Sequence, residues 1–250
     1  MKVVHSIHLF ILAFIVPLST SYAQDEPRFT VGLAYIGGTS IYSNVDTTSR
    51  IMPSLSYESD SIRISVKEGL TYKFIDTAST AFDASLAISF KPYKSTDSTI
   101  LAGMDRDMSV DGALSGSYGL ARGLTSTVTL ATEISGKYNG SSADVSISQF
   151  IPVYGLPFIF RIGSKWLDKN RAKYFYGVYA DEATVARFQY DPGNVLLPYL
   201  SVNTFYKLTP STSLFANINT KFLSKKVTNS PIVSEETSTN IIVGIGYTFH

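Results

Sequence analysis

The stretch TNIIVGIGYTF, from Thr239 to Phe249, alternates between two kinds of side chain. The odd positions from 241 to 249 are large and apolar, whereas the even positions are small or polar apart from Ile242. Successive side chains of a strand point to opposite faces. The pattern therefore predicts a strand with one apolar face and one face of small or polar side chains. Lipid outside and a wet or filled lumen inside suit such a strand. The alternative is an edge strand of a soluble β-sandwich.

The first residues, Met1 to Ala23, carry the features of a secretory signal. Lys2 precedes an apolar run from Ile7 to Leu18, and small residues lead up to Ala23. This pattern predicts cleavage after Ala23, with residues 24–250 forming one domain. The run is shorter than the about 20 apolar residues that a spanning helix needs, and no other stretch approaches that length. A mature chain that spans a membrane must therefore do so as a closed barrel.

Charge and cysteine content exclude several classes of function. Lys2 leaves with the signal, so 20 basic residues face 20 acidic ones, and this balance gives no reason to expect nucleic acid as a partner. Cysteine is absent, which excludes a disulfide framework, a thiolate metal site and a thiolate nucleophile.

Histidine is nearly absent from the mature chain. Of the three histidines, His5 and His8 lie in the signal, which leaves His250 at the end. Barrel enzymes that cleave lipids or peptides generally use a histidine that exchanges protons near neutral pH. We therefore expect no enzymatic activity and no cofactor.

Dyad alternation recurs along the mature chain and predicts an all-β, antiparallel transmembrane barrel of about twelve strands in the outer membrane. The apolar phase never breaks between Ile62 and Phe74, so we expect one long strand there. Asn139-Gly140 predicts a tight hairpin. The predicted strands are 29–36, 50–57, 62–74, 81–90, 108–121, 124–138, 143–153, 157–167, 172–179, 196–207, 212–223 and 239–249.

The predicted topology leaves one connection out of place. If the N-terminus lies in the periplasm, the long loops near 37–49, 180–194 and 224–238 fall outside the cell. Residues 91–107 then fall in the periplasm, where turns should be short. Either this segment presents a docking site to soluble partners, or it contains structure that the pattern does not show. In the second case, Ile100 to Met104 extend the fifth strand or the segment folds into the lumen as a plug.

The last third of the chain resembles the MipA and OmpV family of outer-membrane proteins. Residues 101–105 match that family more loosely. The matching stretches are Asn170-Arg171, Tyr174 to Val178, Glu182-Ala183, Tyr190 to Gly193, Tyr206 to Thr209, Ser230 to Val233 and Gly244 to Phe249.

The resemblance implies a barrel that serves as a scaffold. One member of the family joins a murein-cleaving transglycosylase to a murein synthase, so the expected partners belong to peptidoglycan remodelling. A passive channel for small solutes is the alternative, because twelve strands can enclose a conducting lumen.

Two sets of side chains are candidate contact sites. A basic turn beside the only tryptophan could anchor the barrel at the membrane interface, or bind anionic headgroups of outer-membrane lipids or murein. The terminal strand resembles the signal read by the barrel assembly machinery, with its aromatic residues facing lipid. The candidates are Lys165, Trp166, Lys169 and Arg171 for the basic turn, and Tyr247 and Phe249 for the assembly signal.

The acidic residues Asp105, Asp107 and Asp111 are the tightest carboxylate cluster. Oxygen-rich loops bind calcium, but these residues lack the spacing of a full calcium loop. We therefore interpret them as a polar strand entrance and predict no metal site.

Overall fold

The computed structural model describes residues 27–66 and 68–249, which form a closed antiparallel barrel of twelve strands. Twelve strands were predicted, and the barrel is confirmed. The signal peptide predicted for residues 1–23 lies outside the described residues. The strands are β1 (Arg28–Gly38), β2 (Thr48–Glu58), β3 (Ile62–Ser65), β4 (Gly69–Asp76), β5 (Thr80–Ser89), β6 (Ser109–Ala121), β7 (Leu124–Glu133), β8 (Ser141–Val153), β9 (Leu156–Leu167), β10 (Val195–Lys207), β11 (Thr212–Phe222) and β12 (Thr237–Phe249).

The first and last strands close the barrel. β1 pairs with β12 from Phe29 opposite Phe249 to Gly38 opposite Asn240. A methyl group on Gly32 would lie 2.0 Å from the carbonyl oxygen of Ile245, so only glycine allows this approach of the two backbones. Two short helices, α1 (Lys169–Tyr176) and α2 (Lys225–Thr228), lie in the connections. Within the described residues, no helix is both long and apolar enough to cross a membrane.

The long strand predicted for residues 62–74 is wrong. The chain turns between Ser65 and Gly69, and Gly69 has a φ of +74°. In this hairpin Ile62 lies opposite Tyr72 and Ile64 opposite Leu70. Paired residues share a face of the sheet, so this register keeps every even-numbered side chain outside. An unbroken apolar phase is therefore equally compatible with a hairpin.

The strand predicted for residues 172–179 is also wrong, because that segment begins inside α1. The Asp168 side chain accepts a hydrogen bond from the amide of Arg171 at 2.8 Å, as a helix N-cap does. Gly177 follows the last helical residue. The consecutive aromatic residues Tyr174, Phe175 and Tyr176 favour a strand by composition. The residues at the two ends of the segment, Asp168 and Gly177, are those of a helix.

The hairpin predicted at Asn139-Gly140 is a longer loop. β7 ends at Glu133 rather than at Tyr138, and Asn139 has a φ of 50° within the loop 134–140. The Glu133 carboxylate accepts hydrogen bonds from the amides of Tyr138 and Asn139, at 3.1 and 2.9 Å. This carboxylate closes the loop that the sequence pattern had assigned to strand.

The additional hairpin moves residues 90–108 to the other end of the barrel. Splitting residues 62–74 adds one strand before this connection, which then shares an end with the other long loops. The periplasmic location expected for residues 91–107 is therefore corrected, and the topology no longer has an exception. Short turns lie in the periplasm in such barrels, so we assign the long-loop end to the cell exterior. The long connections are 39–47, 90–108, 134–140, 168–194 and 223–236.

We predict that Thr96→Cys reacts with a membrane-impermeant maleimide on intact cells. Thr96 is exposed in the connection 90–108, and the native chain has no cysteine to compete. Arg122→Cys, in the turn between β6 and β7 at the opposite end, is the matched control. It should react only after the outer membrane has been permeabilised. The opposite labelling pattern would show that the barrel has the reverse orientation in the membrane.

Candidate functional site

Three loops meet over one mouth of the barrel. The Tyr42 and Tyr93 ring centroids are 4.7 Å apart, and the Tyr42 hydroxyl donates to the Phe175 carbonyl at 3.0 Å. These residues follow β1, β5 and β9, which are four strands apart around the ring. Loops anchored at such evenly spaced positions can touch each other only above the lumen. We call the assembled segments 39–47, 90–108, 168–194 and 223–236 the cap.

The cap has its own hydrophobic core. Leu101, Met104 and Val178 are fully buried, as are Val227 and Ile232 from the connection between β11 and β12. This cluster continues onto the barrel wall, where the buried side chains of β9 and β10 complete it. These wall residues are Leu167, Val195 and Leu197. The cap is therefore packed against the mouth like a small domain core rather than suspended above it.

Arg106 is the buried charge at the centre of the cap. Its guanidinium makes a two-point ion pair with Glu182, including Nη2 to Oε2 at 3.0 Å, and Nε donates to the Tyr174 carbonyl at 2.8 Å. The Tyr179 ring centroid lies 4.9 Å from its Cζ. Burial alone would lower the pKa of Arg106, but the hydrogen bond to Glu182 raises it above its ordinary value. The cation is therefore retained although it is only 2% exposed.

Arg187 joins two parts of the cap through backbone carbonyls. Its Nη1 donates to the carbonyls of Ile100 and Ala102, the latter at 3.0 Å, and its Nε donates to the Glu182 carbonyl at 3.0 Å. Carbonyls that leave a short helical turn need donors when they are buried. Arg187 satisfies them and ties residues 168–194 to residues 90–108.

A second buried ion pair fixes α1 to the lumen wall. Arg171 donates to both carboxylate oxygens of Asp111, with Nη1 to Oδ1 at 3.2 Å. Asp111 also accepts from the Ser89 hydroxyl at 2.8 Å, and Asp168 accepts from the Ser141 amide at 2.9 Å. The helix is thus held at its N-terminus by the wall strands on which it lies.

The lumen is polar and carries charges of both signs. Tyr199 donates from its hydroxyl to Asp144 at 2.8 Å. Lys73 of β4 lies opposite Asp83 of β5, so acidic and basic side chains are interspersed along the wall. Further inward-facing charges are the acids Asp111 and Asp144 and the bases Arg161, Lys165 and Lys221.

An apolar cavity of about 260 Å³ interrupts the polar lining near the periplasmic mouth. Ile242, the exception in the alternation of β12, lines it together with Phe205 and Phe215. The Phe215 ring lies over Gly244, where a methyl group would be 2.3 Å from the ring. The exception to the sequence pattern therefore marks an apolar patch inside the lumen.

The four residues of the predicted basic turn do not form one surface. Arg171 is buried in its ion pair with Asp111, and Lys165 lies opposite Asp144 with its side chain towards the lumen. These two side chains are therefore directed away from the surface of the turn, and a headgroup or murein contact there stays a prediction. Trp166 and Lys169 are exposed, and their contact with headgroups stays a prediction.

The acidic cluster is divided among ion pairs. Asp111 binds Arg171, and Asp107 binds Lys137 at 2.8 Å. The hydrogen bond from Lys137 lowers the pKa of Asp107 below its usual value. These carboxylates hold loops together through the cations of the chain itself.

The proposed assembly signal faces outward at the end of the closing strand. Tyr247 and Phe249 are about half exposed, and their ring centroids are 4.9 Å apart. Phe249 also stacks on Phe29 of β1. Recognition by the assembly machinery stays a prediction, and the geometry presents both rings where lipid or that machinery can contact them.

The cluster of Arg106, Glu182 and Arg187 has no signature in the sequence that predicts it. Glu182 lies in one of the stretches that match the family, and residues 101–105 end next to Arg106. These matches mark important positions but carry no information about pairing. Arg106 and Glu182 are 76 positions apart, so only the fold brings them together.

Comparison with known proteins identifies the family. The model of the family described as MltA-interacting protein MipA matches residues 31–249. The chain belongs to the MipA family. The MltA-interacting protein of Escherichia coli strain K12 is 27% identical over 246 residues, which cover 96% of this chain and 98% of that protein. YiaT of the same strain, whose name assigns it to the outer membrane, is 24% identical over 94% of this chain and 96% of its own length.

Solved structures that align with this MipA-family chain include a porin and a transporter. The NanC porin aligns with 86% of this chain and 98% of its own, at 9% identity and a TM-score of 0.43. The Pseudomonas putida toluene transporter TodX aligns with 89% of each chain, at 10% identity and a TM-score of 0.39. The family and the barrel place the protein in the outer membrane.

We predict that Arg106→Met opens the cap without unfolding the barrel. Removing one partner of a buried ion pair costs about 3–5 kcal/mol, because Glu182 is left charged and unpaired. Limited proteolysis of the folded protein should then cut within 90–108 or 168–194. The barrel strands should stay protected and migrate as a folded band in unheated gels.

Lys225→Met is the matched control for Arg106→Met. Lys225 pairs with Glu236 at 3.0 Å, but both side chains are largely exposed, so the loss should be about 0–1 kcal/mol. This variant should resist protease as the native protein does. Equal resistance of the Arg106 variant would show that the buried pair does not hold the cap.

Proposed function

We propose that this MipA-family barrel is a non-enzymatic scaffold that holds a murein-cleaving transglycosylase at the outer membrane. The match of the family model over residues 31–249 carries the proposal, together with a relative named MltA-interacting protein. Murein lies in the periplasm, so the partner must meet the end of the barrel that carries the short turns. A murein synthase is a second partner that the same scaffold would bring together with the transglycosylase.

The chemistry of the chain supports a scaffold over an enzyme. The sequence after residue 8 has one histidine, His250, and has no cysteine. The buried ionisable groups Arg106, Glu182, Arg171 and Asp111 are paired with each other, as structural charges are. Arginine keeps its proton at all physiological pH values, which makes these pairs poor general acids or bases.

The cap supports a scaffold over a freely open pore. The packed contacts among residues 39–47, 90–108 and 168–194 cross the mouth, so solute has no wide axial path. We therefore expect no steady open conductance when the refolded barrel is placed in a planar bilayer. A steady conductance of the native protein would favour the alternative, a passive channel for small solutes.

Tyr154 is our candidate for the contact with the periplasmic partner. It occupies the two-residue turn between β8 and β9 with its side chain fully exposed, and its φ is 51°. A left-handed backbone disfavours tyrosine by about 1 kcal/mol or more, and Asn-Gly is the usual choice for such a turn. Residues held against local preference occur at functional sites. Local stability thus does not explain why an aromatic ring is there.

We predict that Tyr154→Asn keeps the barrel intact and weakens capture of the transglycosylase. The substitution relieves the backbone while it removes the ring, so a folding defect is not expected. Binding of purified transglycosylase to the immobilised barrel should fall at least tenfold, which corresponds to about 1.4 kcal/mol.

Val185→Asn is the matched control at the opposite end. Val185 is also fully exposed, but it lies in the cap on the exterior side. It should capture the transglycosylase as the native barrel does. Native-level capture by the Tyr154 variant would exclude this turn as the contact, and failure of the native barrel to capture any transglycosylase would refute the scaffold.

A further inference from the structure

The strand pairing of the barrel wall has a gap where the β3–β4 hairpin is too short to reach the upper end of its neighbours. β2 pairs with β3 only from Ser56 to Glu58, and a single further bond joins the Val66 amide to the Leu55 carbonyl at 3.3 Å. On this side of β2, residues 48–54 have no strand partner among the residues that the structure describes. On its other side β2 is paired with β1 over its whole length.

The opposite border of the gap is the upper end of β5. β4 pairs with β5 up to Leu70 opposite Leu86, and residues 87–89 of β5 continue beyond the hairpin. The gap in the pairing therefore lies between the upper parts of β2 and β5, above the turn that follows Ser65 and precedes Gly69. At its top the Arg50 guanidinium carbon lies 6.0 Å from the Phe90 ring centroid. We call this unpaired part of the wall the lateral window.

The free edge of β2 is unsuited to pairing with another strand. The Leu55 carbonyl points towards β3, and backbone groups alternate in direction, so Ser49, Ile51 and Pro53 also aim theirs into the window. Pro53 has no amide hydrogen to donate. Proline on a strand edge is a known obstacle to strand addition. The window is therefore not a site for an added strand from a second protein.

The exposed backbone of this edge requires a polar or mobile environment. Unpaired amides and carbonyls in pure hydrocarbon are strongly unfavourable. The window lies at the exterior end of the wall, below the loops 39–47 and 90–108, where water and lipid headgroups can reach it. Its outer rim is nevertheless apolar, with Ile51 at 72%, Leu55 at 45% and Ile88 at 58% exposed to the lipid side.

The inner side of the window differs from its outer rim. Met52 and Ser54 alternate with these lipid-facing residues, so their side chains point to the lumen. Arg50 has the same inward phase, and its guanidinium lies beside the Phe90 ring. A cation beside an apolar rim matches a ligand that has a negative head and a hydrocarbon chain.

We propose that the lateral window admits the hydrocarbon chain of an anionic amphiphile from the outer leaflet into the upper lumen. The cap blocks the axial route, and Pro53 excludes strand addition. Arg50 provides the charge that holds the headgroup at the top of the opening. The amphiphile thus passes between the lumen and the membrane through the side of the barrel. This role is separate from the scaffold function, which depends on the periplasmic end.

The test places a tryptophan on the inner side of the window. Ser54→Trp is made with Trp166→Phe, so that one indole reports, and the protein is refolded into vesicles of lipid with brominated acyl chains. Bromine quenches tryptophan only on contact. We expect Ser54→Trp to be quenched nearly as strongly as Leu114→Trp, whose side chain faces lipid.

Ser117→Trp is the matched inward control. Ser117 lies on β6 opposite Ala81 and Thr127, with paired strands on both sides and no gap. It should keep its fluorescence. Met52→Trp provides a second reporter if Ser54→Trp does not fold, as judged by unheated gel migration. Quenching of the window reporter no stronger than that of Ser117→Trp would overturn the proposal.

The headgroup is tested with brominated stearate and its methyl ester in vesicles of unbrominated lipid. Stearate should quench Ser54→Trp at a concentration at least fivefold lower than the ester. Arg50→Gln should remove this difference and leave quenching by the ester unchanged. Equal quenching by the acid and the ester in the protein that retains Arg50 would refute an anionic ligand. None of these measurements involves the transglycosylase, so they are independent of the scaffold proposal.

Discussion

The need to satisfy every backbone amide and carbonyl without water governs this molecule. A chain that crosses hydrocarbon with strands achieves this only as a closed sheet, and the pairing of β1 with β12 supplies the closure. The glycine at position 32 matters because it lets these two backbones approach. The outward phase can then be apolar throughout, while the inward phase is free to carry small polar and charged groups. Cap, lumen and window are all built on that separation of faces.

The cap follows from the same ring geometry. Strands at four-step intervals around the barrel project their loops towards one axis, and a long loop at each of these positions can meet the others. A purely apolar plug would suffice to fill the space. Two of the three buried arginines instead add direction, because Arg106 selects Glu182 and Arg187 selects carbonyls at defined positions. We infer that these pairs specify one arrangement among the loops, at some cost in desolvation.

The sequence predicted the barrel well and the loops poorly, for physical reasons. Alternation reports which face a side chain occupies, so residues 241–249 were sufficient to predict a closing strand. Alternation does not report direction, and the hairpin hidden in 62–74 keeps the same phase on both strands. The segment 172–179 shows the converse, since its strand-favouring aromatic residues from Tyr174 to Tyr176 lie on a helix that the wall holds through Arg171. Pairing between distant charges leaves no local pattern at all.

The two errors in strand assignment cancel in the count but not in the topology. The prediction omitted one strand before residue 90 and added one at 172–179, so the total remained twelve. Only the correct strand order places residues 90–108 in the cap. The hidden hairpin is also the short one. A four-residue β3 leaves the upper part of β2 with an unpaired edge. Pro53 lies on that edge, and because proline has no amide hydrogen it leaves no donor unpaired there. The short hairpin that the sequence pattern concealed therefore sets the shape of the wall. A full-length hairpin would have closed the window and left the capped lumen without a lateral exit.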